Sequence, residues 1–78
     1  MIILYIYDID AKNKKKFNRT KRRFYYHLNK LNLKKEVWKT KSAIAVTLDM
    51  GKVMDLFFKQ FKKHIVVYKI LTESISQL

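Results

Sequence analysis

No cysteine and no proline occur in the 78 residues, and there is a single glycine. Without thiols, neither a disulfide framework nor a thiolate zinc site can reinforce the fold. With no proline, no internal repeat and no linker-like stretch, nothing marks a boundary, so residues 1–78 are expected to form one domain. One glycine also leaves no phosphate-cradling loop of the kind nucleotide-driven enzymes use. Acids are scarce: six Asp and Glu stand against eighteen Lys and Arg, a formal net charge of +12. Long apolar runs are missing too. The opening MIILYIYDID is apolar for seven residues and then meets Asp8 and Asp10. A spanning helix needs ~20 apolar residues, and a signal peptide needs a charged leader and a small-residue cleavage site. Neither pattern is there, which predicts a soluble protein of the cytoplasm.

What is present is 49% hydrophobic residues, enough for one compact core. A chain this short hides only about 60–65% of the surface its unfolded form exposes, so self-association is expected to add stability. The excess of cations repels itself in the folded state unless a polyanion neutralises it. Nucleic acid, DNA or RNA, is the expected partner. An anionic membrane would call for a helix with exposed Leu or Phe opposite its basic face, and the apolar faces here are needed for the core.

Ile2 to Ile9 reads as a buried central strand, apolar on both alternations except at Asp8. From about Lys14 to Asn32 the period changes, and Phe17, Phe24, Leu28 and Leu31 line one face of a helix. Lys34 to Thr40 and Ser42 to Leu48 read as strands joined by a bend. Asp49 is the expected N-cap of a second helix whose buried stripe is Val53, Met54, Phe57, Phe58 and Phe61. Lys62, Lys63 and His64 suit its negative end. Ile65 to Leu71 is a final strand, and 72–78 either a tail or an edge strand. Right-handed crossovers turn this order into an α+β, ferredoxin-like βαββαβ sandwich: an antiparallel four-stranded sheet, strands one and three central, two helices on one face. Tyr5, Tyr7 and Tyr68 belong to strands apolar on both alternations, so the second face needs a cover. A second copy is the simplest one, and a homodimer is expected.

Eight of the twelve positions from Lys12 to Arg23 are basic. At 100° per residue, Lys15, Arg19, Arg22, Arg23 and Lys30 fall opposite Phe17, Phe24 and Leu28, with Tyr26 in the same stripe. Any amphipathic helix has a charged outer face, but an ordinary one mixes signs for i,i+4 pairing, and no Asp or Glu occurs between residues 11 and 35. Such a stripe fits phosphates along a groove, and an exposed tyrosine can stack on a base or sugar. The second helix repeats the bias more weakly, with Lys52, Lys59, Lys62 and Lys63 against Asp55.

Asp8 and Asp10 stand two residues apart at the end of the first strand, so both can project to one side of the sheet edge. One or two carboxylates with water and phosphate oxygens suffice for Mg²⁺ or Mn²⁺, and two Asp8 residues facing across a dimer would suit phosphodiester hydrolysis. The structural alternative is that Asp10 caps the following helix or turn and Asp8 accepts backbone or lysine hydrogen bonds. His27 flanks the buried helix face, His64 ends a helix, and Ser42 has no Ser/His/Asp partnership, so nucleophilic catalysis is not expected. Trp38 is expected in the core or an interface.

The first strand with Tyr7-Asp8-Ile9, the Lys21-Arg22-Arg23 helix and the segment Ile65-Val66-Val67-Tyr68-Lys69-Ile70-Leu71 together resemble the small CRISPR-associated Cas-two family, the lesser subunit of the spacer-acquisition complex. The likeness runs along nearly the whole chain. Of that family's Gln-x-Ser-Val-Phe-like stretch, Thr40-Lys41-Ser42-Ala43-Ile44 keeps the serine but not the glutamine or phenylalanine. The resemblance implies a ferredoxin-like homodimer, metal-dependent endonuclease activity in some members, and elsewhere a bridge that holds duplex DNA beside a larger spacer-integrase subunit. Asp8 is the one residue it carries over, as the catalytic and Mg²⁺-binding group. The chain also looks like virulence-associated protein D, a ribonuclease toxin, which would make the substrate RNA. A nonenzymatic binding module on the same fold would need no metal.

Overall fold

The computed structural model describes residues 1–10, 12 and 14–78, Lys14 by its backbone alone. Its elements are β1 (Ile2–Ile9), α1 (Lys14–Asn29), β2 (Trp38–Thr40), β3 (Ala43–Thr47), α2 (Gly51–Gln60) and β4 (Ile65–Thr72). The strands lie in the order β2-β3-β1-β4, each neighbouring pair antiparallel. This is the expected α+β, ferredoxin-like arrangement, with the first and third strands central. No helix among the described residues is long and apolar enough to cross a membrane.

Register settles what each sheet face holds. Tyr5 stands opposite Ile44 on β3 and Lys69 on β4, and Tyr7 opposite Val67. Successive side chains alternate faces, so Ile3, Tyr5 and Tyr7 point toward the helices while Leu4, Ile6 and Asp8 point away. Ile3, Tyr5 and Tyr7 are buried with Ile44, Val46, Phe24, Leu28, Met54, Phe57, Phe58, Phe61 and Ile65. The core is dominated by aromatic rings: Phe24 lies 5.0 Å from Tyr7, 5.1 Å from Phe57 and 5.4 Å from Phe61, centroid to centroid. Tilted and edge-on pairs at this spacing are each worth about 0.5–1.5 kcal/mol beyond the area they bury.

The two core tyrosines face inward because their hydroxyls find partners at the core margin. The Tyr7 hydroxyl donates to the Lys41 carbonyl at 2.9 Å and accepts from the Tyr25 hydroxyl at 3.2 Å. Tyr5 donates to Asp55 Oδ1 at 2.7 Å, with the Gly51 carbonyl 3.2 Å away. Gly51 itself serves close approach rather than an unusual backbone angle, since a Cβ there would meet Ile3 Cδ1 at 2.8 Å. Trp38 packs half-buried against the core.

Several boundaries differ from expectation. α1 ends at Asn29, three residues early, because Asn32 takes a left-handed φ of 52° and the chain turns there. Leu31 leaves the helix but still packs on the core. The strand expected from Lys34 shrinks to Trp38–Thr40, and Lys35–Val37 coil into a 3₁₀ turn. Lys34, Lys35 and Glu36 offer no apolar alternation to bury, so pairing them gains little. Asp49 is not the cap of α2. It lies inside a 3₁₀ turn, Leu48–Met50, that runs straight into the helix, and it accepts from the Thr47 hydroxyl. Val53 is exposed, because Gly51, Met54, Phe57, Phe58 and Phe61 fill the inward arc at i, i+3, i+4 spacing. Beyond Thr72 the chain is a tail and forms no strand among the described residues.

Candidate nucleic-acid interface

α1 forms where lysines, arginines and Leu28, all good helix formers, meet a three-to-four-residue aromatic spacing. Phe24 and Leu28 are buried on its inner side, and Lys15, Arg19, Arg22, Arg23 and Tyr26 are all exposed on the outer side. Lys15, Asn18, Arg19 and Arg22 together line an open groove of about 360 Å³. Sixteen residues make a helix roughly 24 Å long, the rise of about seven nucleotide steps. Arg23 is not among the lining residues of this groove. Tyr26 extends the stripe toward the helix end, where Lys30 Nζ stands 4.5 Å from its ring centre. The Lys14 side chain lies outside the described residues.

The first turn of α1 holds no acid and the last turn only His27 as a base. Lys12, Lys15 and Lys16 therefore crowd the positive end of the helix dipole. Each cation so placed is opposed by an interaction of about 0.3–1 kcal/mol, which an anion at the same place reverses.

Asp8 and Asp10 do come together. They line one cavity of about 420 Å³ with Lys12, Lys62, Lys63 and His64. Asp8 is exposed on the open sheet face opposite Val66, and its carboxylate has no hydrogen bond or ion pair among the described residues. Asp10 Oδ1 accepts the Lys12 backbone N–H at 3.1 Å. No cluster of three His, Cys, Asp or Glu suited to a metal occurs among the described residues. Two carboxylates with water and phosphate oxygens meet the lower requirement for Mg²⁺, but three lysines surround them. His27 is exposed at the surface, its ring 5.3 Å from that of Tyr26.

Two features escaped the sequence reading. Lys62, Lys63 and His64 were legible only as a helix end, yet the turn after α2 carries them to Asp8. The other is the chain Tyr5–Asp55–Lys69, in which Lys69 Nζ donates to Asp55 Oδ2 at 2.9 Å. Those bonds hold the Asp55 carboxyl below its ordinary range, Lys69 first and Tyr5 second. A signal existed: Lys69 is the one charge in β4 and Asp55 the one acid in α2.

A further cavity of about 590 Å³ lies elsewhere, beside β3. It is lined by Leu31, Leu33, Val37, Met50 and the tail residue Ile75 among others, and by none of the predicted site residues. On the open sheet face Ile6, Val66, Tyr68 and Ile70 are exposed, Tyr68 by 65%. Searches of protein-family models, of curated proteins and of solved structures find no match to this chain.

Proposed function

We propose that this chain is a homodimeric nucleic-acid-binding protein of the Cas-two kind, holding phosphates of DNA or RNA along α1 with Lys15, Arg19, Arg22 and Arg23. Tyr26 stacks on a base or sugar at the end of the stripe. The observation that carries the reading is the groove of Lys15, Arg19 and Arg22 on a helix without an acidic residue. Cations in a row with no acid among them gain most from a polyanion, through counterion release. The apolar open face of the sheet supports the dimer. A stable contact needs roughly 800 Å² from each partner, and an isologous pairing covers the same patch on both. A larger integrase-type subunit is the further partner this reading implies.

The nuclease form of the proposal assigns Asp8 to hold Mg²⁺, with Mn²⁺ as substitute. A bound ion would polarise a phosphoryl oxygen and lower the pKa of its water. Asp8 would anchor it, while Lys12, Lys62 and Lys63 would steady the phosphodiester. The same three lysines favour a second reading, a nonenzymatic module in which they bind phosphate and no metal is needed. A ribonuclease similar to virulence-associated protein D would confine cleavage to RNA.

The test is titration of the protein with duplex DNA, single-stranded DNA and RNA over a series of KCl concentrations, followed by cleavage assays with Mg²⁺. Affinity that falls steeply with salt is expected. No binding in dilute buffer sinks the proposal. If Asp8→Asn abolishes cleavage and leaves affinity intact, the nuclease form stands; cleavage that survives removes Asp8 from that role, and wild-type protein that never cleaves selects the module.

A further inference from the structure

Asp55 precedes Lys59 by four residues on α2, the order in which a carboxylate and an ammonium pair best on a helix. That pair is not made. Asp55 turns to the sheet instead, one oxygen accepting from Tyr5 and the other from Lys69 of β4. With both oxygens taken, Asp55 fixes the Lys69 ammonium in place. Lys59 and Lys62 are exposed; neither makes a contact ion pair with a carboxylate among the described residues, although the Lys59 charge acts on Asp55 through space.

These side chains border a single hollow. Lys59, Lys62, Lys69 and Asp55 stand with Phe58 and Val67 around about 260 Å³ on the seam between α2 and β4. Three ammonium groups against one carboxylate leave two positive charges there, beside an apolar floor. Lys62 also borders the cavity that contains Asp8, Lys12 and Lys63, so the two hollows meet at its side chain. The α1 groove shares no lining residue with either.

We infer that the α2–β4 seam is a second phosphate track, in which Lys59 and Lys62 hold the backbone of a nucleic-acid strand and lead it to the cavity of Asp8. The inference rests on the nucleic-acid reading above and adds to it a route. The strand that reaches Asp8 crosses α2 and β4, while α1 holds another stretch of the same ligand. Half-buried Val67 offers a small apolar surface to a sugar, with the buried Phe58 ring beneath the hollow. Lys69 is spent on Asp55 and acts as a wall of the hollow.

The experiment compares wild type, K59Q/K62Q and R19A/R22A on duplex DNA, reading log Kd against log [KCl]. Each lost phosphate contact lowers the slope by about 0.9, so K59Q/K62Q is expected to lower it by about 1.8 and to add to the effect of R19A/R22A. Both seam side chains are exposed, so the thermal midpoint should stay at the wild-type value. A slope unchanged in K59Q/K62Q but lowered in R19A/R22A overturns the seam and leaves the α1 reading intact. Wild-type protein that binds no nucleic acid overturns the functional reading and the seam together. Vesicles of anionic lipid are the control: capture that depends on Lys59 and Lys62, with no such dependence on DNA, also overturns the inference.

Discussion

The outer face of α1 presents Lys15, Arg19, Arg22, Arg23 and Tyr26 to solvent, whereas the open face of β1, β3 and β4 presents Leu4, Ile6, Val66, Tyr68 and Ile70 and no Lys or Arg. The single charge on that open face is Asp8, at its end. With that separation, the proposed pairing of two sheets would not bring the cations of α1 on a chain of +12 face to face. The cations of α1 would not be desolvated by such a pairing, and the pairing would take none of their phosphate-binding side chains out of use. Salt should act on the two faces in opposite directions: it weakens phosphate binding by competing for the cations, and it eases self-association by screening the repulsion between two copies.

The strongest perturbation tests whether both faces depend on one core. Phe24→Ala removes the ring that Tyr7, Phe57, Phe58 and Phe61 surround, and is expected to cost about 3–5 kcal/mol in chemical denaturation. Dimer and binding should be lost together. Binding that persisted in the unfolded chain would mean that charge alone, not its arrangement, does the work.

Next in size, R19A/R22A/R23A strips the helical face and leaves the sheet untouched. Affinity for duplex DNA at 0.1 M salt should fall on the order of a hundredfold, with the salt slope reduced by about 2.7. Sedimentation should show the dimer retained. Loss of the dimer in this variant would break the separation of the two faces.

Tyr68→Asp is the converse change, putting a carboxylate in the middle of the apolar face opposite Ile6. A dimer about ten- to a hundredfold weaker is expected, because the new charge would be buried without a partner. The number of phosphate contacts per chain, read from the salt slope, should not move.

The smallest expected effects are in pH. Asp55 has a folded pKa below its ordinary 3.8, so its contribution is fully present above that value and is lost as pH falls through the folded pKa. Tyr5 and Tyr7 titrate well above their ordinary 10.0, because burial penalises the phenolate. Their contribution is complete below pH 10 and is lost as pH rises beyond it. Thermal midpoints should therefore decline at both extremes. Asp55→Asn should flatten the acid side, and an undiminished acid decline would show that Asp55 is not its source.

Much of the fold was legible because its signals are local. The alternation of Ile2–Ile9, the three-to-four spacing of Phe24 and Leu28, and the run of Met54, Phe57, Phe58 and Phe61 each follow from the directions in which Cβ atoms leave a strand or a helix. Where the local signal was thin, boundaries moved. Lys35–Val37 lack an apolar alternation, and Val53 is apolar but falls outside the inward arc of α2. Of the candidate site, the cations of α1 could be placed from the sequence, since exposure on a helix follows from what is buried opposite. The seam of Lys59, Lys62 and Lys69 could not, because it joins residues from two elements that only the packing brings side by side.

By itself the sequence determined the order of elements, the single small core and the separation of cations from acids, for these depend on composition and on periods that each segment carries within it. Packing of the whole chain turns Tyr5 and Tyr7 inward and Ile6 outward, pairs Asp55 with Lys69 instead of Lys59, and sets Lys62 and Lys63 around the same cavity as Asp8. Strand register and helix docking bring distant residues into contact, and both minimise the free energy of the whole chain, where hydroxyls need partners and rings need close neighbours.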